Sequence, residues 1–69
     1  MNMTRIQLNN DAKEKILIAF KIQFGFAPKK KDIIFLETSE NSNEIISGSF
    51  EIGEIEYYWD GLRIRKKED

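Results

Sequence analysis

Two residue types that carry much of enzyme chemistry are missing, because the 69-residue chain has no histidine and no cysteine. Their absence removes the imidazole proton shuttle, the common nucleophile–base pairs, the usual zinc sites and any disulfide staple. No cofactor is expected. The longest apolar run covers only residues 16–20, far short of the about 20 residues a membrane span needs. The start of the chain has no secretory signal pattern, so the cytoplasm is the expected location and no membrane partner is expected. An excess of one charge is also lacking. Eleven basic against twelve acidic residues leave a formal charge of −1, so any electrostatic role must come from local clusters.

A chain this short forms one small domain, 1–69, that buries only about 60% of its unfolded surface. Its margin of stability is a few kcal/mol, roughly. No room remains for an enclosed catalytic cavity, and no enzymatic activity is expected.

What the sequence does have is punctuation. In "EIGEIEYYWDGLRIRKK", residues 51–67, Gly53 and Glu54 suit a two-residue loop with glycine first, and Asp60-Gly61 is a strong hairpin signal. Two such turns place Ile52 across from Ile55, Phe50 from Tyr57 and Gly48 from Trp59, then Trp59 from Leu62, Tyr57 from Ile64 and Ile55 from Lys66. One face of this three-stranded unit is almost wholly apolar. Trp59 is expected to cover the gap left by Gly48.

Ahead of it, Ala12, Ile16, Ala19, Phe20, Gln23 and Phe24 fall on one face at helical spacing, with Leu17 at the margin. Asn10 or Asp11 is the expected cap, with Glu14 completing a capping-box-like pair, so the helix is expected over about 10–24. Gly25 and Pro28 end it. Residues 1–9 are expected as a lead-in, with Ile6 and Leu8 folded over the helix start. Ile33, Ile34, Phe35 and Leu36 read as the first strand, "SENSN" as its hairpin loop, and the next strand begins near Glu44. Pairing Phe35 with Ile46 on the core face puts Ile34, Leu36 and Ile45 outside. The predicted fold class is therefore α+β: two layers, one N-terminal helix packed on a four-stranded antiparallel meander over about 33–66, with a charged tail at 66–69.

Candidate sites follow from what this arrangement leaves over. Glu37, Glu40 and Glu44 flank a loop and suit a solvated tip better than a metal site. The outer face of the C-terminal hairpins carries Ser47, Ser49, Glu51, Glu56, Tyr58, Arg63 and Arg65, with Tyr58 expected opposite Arg63 and Glu56 between Glu51 and Arg65. Tyr58, Arg63 and Arg65 are residue types that dominate protein interfaces. Ile18 and Ile22 join them as partner-binding candidates, since a two-layer core does not explain both. They also suit a homodimer contact, unless Ile6 and Leu8 cover them. The alternative is nucleic-acid binding by Arg63, Arg65, Lys66 and Lys67 with Lys29, Lys30 and Lys31, because arginine is the commonest reader of guanine. Glu51 and Glu56 oppose phosphate on that face, so this partner is less expected.

A helix and meander carrying "FGFAPKKKDI" and "IEYYWDGLRI", rich in Ile, Lys, Asn and Glu, resembles the small accessory proteins of phages and mobile elements of AT-rich bacteria. Several of those proteins bind and block a host protein, including CRISPR and other defence systems. The resemblance implies a non-catalytic, protein-binding inhibitor or regulator acting on a host or phage protein. It transfers no site residue.

Overall fold

In the computed structural model, which describes residues 5–67, a helix α1 (Arg5–Phe24) is followed by a single 3-10 turn at Lys30–Asp32. Four strands complete the chain: β1 (Ile34–Glu40), β2 (Ile45–Ile52), β3 (Ile55–Trp59) and β4 (Ile64–Lys66). They form one antiparallel sheet in the order β1-β2-β3-β4. The expected α+β meander is the observed fold. No described helix is long and apolar enough to cross a membrane. Residues 1–4 of the expected lead-in and residues 68–69 of the expected tail lie outside the described residues.

The core lies between α1 and one sheet face. Leu8, Ala12, Ile16 and Phe20 recur every fourth residue and are buried against Ile33, Ile45, Phe50, Trp59 and Ile64. Aromatic rings close the end near the helix C-terminus, where Phe20 packs on Phe24, Phe26 and Tyr57, and Tyr57 stacks on its cross-strand partner Phe50 at 5.4 Å. Gly25, at φ +87°, ends the helix while its N–H still donates to Lys21 O.

The helix begins one and a half turns earlier than expected, and residues 5–9 are helical rather than a lead-in. Leu8 extends the buried stripe by one turn, and its burial is worth about 1.5–3 kcal/mol. Carrying Asn9 and Asn10 in helix interior costs at most about 0.7 kcal/mol each relative to alanine. Burial therefore outweighs the cap at Asn10 or Asp11. Ile6 remains exposed, and neither it nor Leu8 covers Ile18 and Ile22.

In the β2–β3 hairpin the observed register is the expected one: Ile52 with Ile55, Phe50 with Tyr57, Gly48 with Trp59. Gly53 has φ +64°, and among the described residues no non-glycine residue has positive φ, so only the first central residue of that turn is left-handed. The β3–β4 hairpin differs. Trp59 pairs with Ile64, Tyr58 with Arg65 and Tyr57 with Lys66, which moves the turn centre from Asp60-Gly61 to Gly61-Leu62. A turn centred on Asp60-Gly61 of the usual type would need positive φ at Asp60. Instead the Asp60 carboxylate accepts hydrogen bonds from the N–H groups of Leu62 and Arg63, at 2.9 and 2.8 Å, and Gly61 alone takes φ +104°. The shift spans two residues, so Ile64 stays on the core face while Leu62 leaves the sheet. Because β4 pairs only as far as Tyr57, Ile55 is exposed rather than covered by Lys66.

The parity of β1 and β2 also differs from expectation. Phe35 does face the core, but opposite Phe50 rather than Ile46. Ser39 pairs with Ser47 and Glu40 with Ile45, leaving Ile46 as an extra residue in β2. Such a bulge turns the strand over by one position. Ile45 is consequently buried and Ile46 exposed, the reverse of the expected arrangement. A second bulge makes Leu36 the extra residue of β1, and it stays outside with Ile34 as expected. Gly48 sits beside this irregular ladder, where any Cβ would press into the Glu37 carbonyl oxygen and approach Thr38 Cα to 3.1 Å.

Candidate functional site

The open face of the sheet is built from rows of cross-strand neighbours. Glu37, Ser49, Tyr58 and Arg65 form one row across all four strands. Ile34, Glu51 and Glu56 form the next row. Lys67 completes it, donating its backbone N–H to Glu56 O and its ammonium to the Glu56 carboxylate at 3.2 Å. Leu36 bulges out between the rows. Together with Tyr58, Arg65, Glu56 and Lys67 it borders a shallow depression of about 650 Å³.

Tyr58 is the centre of this surface. It is 40% exposed, and the Arg65 guanidinium lies 5.8 Å from its ring centroid. At an exposed site such a contact is worth about 0.5–1 kcal/mol, which favours keeping the two recognition groups together, the guanidinium over the ring. The exposed side chains of Leu36 and Ile34 supply apolar area beside it. Charge across the face is uneven. Glu37, Glu51 and Glu56 occupy β1 to β3, whereas Arg65 and Lys67 lie at the β4 side, and Lys67 is engaged by Glu56.

Arg63 is not part of this site. The displaced turn carries it to the opposite side, where Ile22, Ala19, Gln23, Leu62 and Arg63 line a small groove. Among the described residues, Leu62 and Ile22 are the two most exposed large apolar side chains, at 85% and 78%. Ile18 is exposed too, but lines a separate groove with Asp11, Glu14, Lys15, Asn43 and Glu44. The expected partner-binding residues thus divide into Tyr58 with Arg65, Ile22 with Arg63, and Ile18. Leu62 was missed because the expected register put it on the core face. The signal that finds it is the aspartate before glycine, read as a side-chain acceptor for the turn.

The basic candidates are dispersed as well. Lys29, Lys30 and Lys31 enter β1 at one edge of the sheet, with Lys30 bound to Glu14 at 3.3 Å. Lys66 and Lys67 lie at the other edge, and Glu56 lies no longer between Glu51 and Arg65 but between Glu51 and Lys67. The loop carboxylates are also occupied: Glu40 pairs with Arg5 and Glu44 with Lys15, the latter at 3.1 Å. No cluster of three potential metal ligands occurs among the described residues. Asp60 is held below the ordinary carboxylate range by the N–H groups of Arg63 and then Leu62, which makes it a turn acceptor.

Comparison with protein-family models, with curated proteins and with solved structures gives no match, so the functional reading rests on the geometry of these surfaces.

Proposed function

We propose that this chain is a non-catalytic protein-binding module whose contact surface is the open sheet face centred on Tyr58 and Arg65. The observation that carries the reading is the Tyr58–Arg65 pair itself, a half-exposed aromatic ring with a guanidinium fixed against it and exposed Leu36 alongside. Aromatic and arginine anchors next to apolar area are the residues on which protein interfaces concentrate their binding energy. The mixture of Glu37, Glu51 and Glu56 with Arg65 and Lys67 favours a partner of mixed charge over a polyanion. The biological role that fits best is an inhibitor or regulator of a host protein, as in phages and mobile elements, acting inside the cell. That role rests on the resemblance in style.

The test is comparative capture from lysate of an AT-rich bacterium, using the native chain, a Tyr58→Ala/Arg65→Ala variant and an Ile18→Lys/Ile22→Lys variant as baits. A specific protein retained by the native chain and by the isoleucine variant, but lost with the Tyr58/Arg65 variant, supports the reading. Retention by the Tyr58/Arg65 variant with its melting temperature unchanged overturns it.

A further inference from the structure

The charges of the open face divide into those paired within the chain and those left over. Lys67 is held by Glu56 at 3.2 Å, whereas Glu37, Glu51 and Arg65 have no ion-pair partner among the described residues. The uncommitted charges have a direction. Glu37 on β1 and Arg65 on β4 end the same cross-strand row, with Ser49 and Tyr58 between them. Three interstrand gaps of about 4.8 Å set the two ends roughly 14 Å apart. Glu51 is the diagonal neighbour of Glu37, so one basic side chain can lie between the two carboxylates. At the other end the Arg65 guanidinium, beside the Tyr58 ring, is a donor suited to a carboxylate.

Apolar area lies between these ends. Leu36, 45% exposed, and Tyr58 stand on either side of Ser49, and the depression opens over that small residue. A complementary surface therefore carries a cation, a large apolar group and an anion in that order along a line crossing the strands.

The backbone of the occupant is constrained as well. The strands pair with one another in the plane of the sheet, so its open face offers side chains and no main-chain donors or acceptors. An extended segment laid across it would bury its own N–H and C=O groups without partners. A helix satisfies these groups internally. A second sheet does so too, but sheet-on-sheet packing covers several strands at once, and here it would close over Glu51 and Glu56, which face each other as like charges. A helix presents a single stripe. The opposite face of this sheet already packs one in that manner, through Ile16 and Phe20 of α1.

We infer that the occupant of the open face is an amphipathic helix of the partner protein, lying along the row from Glu37 to Arg65. Its basic side chain meets Glu37 and Glu51, its acidic one meets Arg65, and a large apolar side chain between them fills the depression beside Leu36 and Tyr58. At about 1.5 Å per residue the two charges stand about nine residues apart on one side of that helix. This inference rests on the reading of the open face as the contact surface.

The test is selection on the immobilised full chain from two displayed peptide libraries of equal size, one fixed as a helix and one as a hairpin, after removal of clones that also bind the Tyr58→Ala/Arg65→Ala variant. Helical clones are expected, with Lys or Arg about seven to eleven residues from Asp or Glu and a large apolar residue between. Such a clone should bind the Glu37→Lys and the Arg65→Glu variants each about tenfold or more weakly than the native chain. With its own two charges exchanged, it should bind the Glu37→Lys/Arg65→Glu double variant better than the original clone does, which a merely destabilised chain cannot produce. Hairpin clones alone, helical clones bearing one sign of charge, or failure of the exchange overturn the inference and leave the open face as the contact surface. A selection that yields no clone dependent on Tyr58 and Arg65 overturns both.

Discussion

Asp60 and Asn41 do the same work at two corners of the sheet. The Asn41 amide oxygen accepts from Asn43 N–H and Glu44 N–H at 2.9 and 3.0 Å, matching the Asp60 contacts to Leu62 and Arg63. Asparagine therefore suffices for this geometry, and only aspartate makes it depend on pH. Because the folded pKa of Asp60 lies below its ordinary value of 3.8, its contribution is present above that value and lost as pH falls through the folded one. In thermal melts, Asp60→Asn should lose less melting temperature than the native chain between pH 5 and pH 2, and Asp60→Ala should melt lower than both at pH 7. Equal acid sensitivity of the native chain and Asp60→Asn would show that the carboxylate contributes nothing. At the core end of the same strand, Trp59 is buried opposite Gly48. Trp59→Ala should cost about 3–5 kcal/mol, most of what a domain of this size has. Circular dichroism should report a largely unfolded chain at 25 °C, and unchanged melting would refute the packing.

At the scale of elements, the helix and β4 depend on each other through Gln23. Replacing Gln23 with Met keeps the length of the side chain but strands the N–H and C=O of Ile64, which the glutamine satisfies. Urea denaturation should show a loss of about 1–2 kcal/mol, and the variant should gain a tendency to associate through β4. The start of α1 is tested by contrast. Leu8 is buried and Ile6 exposed within the same first turns. Leu8→Ala should cost about 2 kcal/mol, at the low end of the core range because it lies at the core margin, and Ile6→Ala within about 0.5 kcal/mol of nothing. Equal effects of the two changes would mean that the helix does not carry the buried stripe back to Leu8. Ile18 and Ile22 belong to the exposed side of the same element, so changing both to Lys should leave its helicity intact.

For the whole molecule, the distribution of charge decides between partners. The open face carries Glu37, Glu51 and Glu56 against Arg65 and Lys67, while Lys29, Lys30 and Lys31 sit at the β1 edge of the sheet and Lys66 at the β4 edge. A phosphate-binding protein releases counterions and loses affinity steeply with salt, which requires several cations to reach one backbone together. Here Lys30 and Lys67 are held by Glu14 and Glu56. Titration of a labelled DNA or RNA duplex at about 0.15 M salt should therefore show no sub-micromolar binding. Tight binding with a steep salt slope, reduced by Arg65→Ala, would replace the protein-binding reading with a nucleic-acid one.

Local physics determined much of this protein from its sequence. Glycine at 25 and 53 marks where the chain must turn left-handed, and the i, i+4 recurrence of Ala12, Ile16 and Phe20 marks the buried side of the helix. Together they give the element order, the β2–β3 register, the Trp59–Gly48 contact and the exposure of Ile18, Ile22 and Tyr58. Each of these depends on neighbours within a few residues. What the tertiary structure decided are the choices between local options of similar energy. Asp60 can occupy a turn or cap one, and capping moved Arg63 away from Tyr58 and put Arg65 in its place. Alternation alone cannot show where β1 and β2 each gain a residue, because a bulge is settled by how strands and helix fit together. The bulges at Ile46 and Leu36 buried Ile45, exposed Ile46 and brought the Glu37 carbonyl against Gly48. Leu8 shows the same division: its neighbours Asn9 and Asn10 favour a cap, and only the sheet beneath the helix gives the leucine a surface on which to be buried.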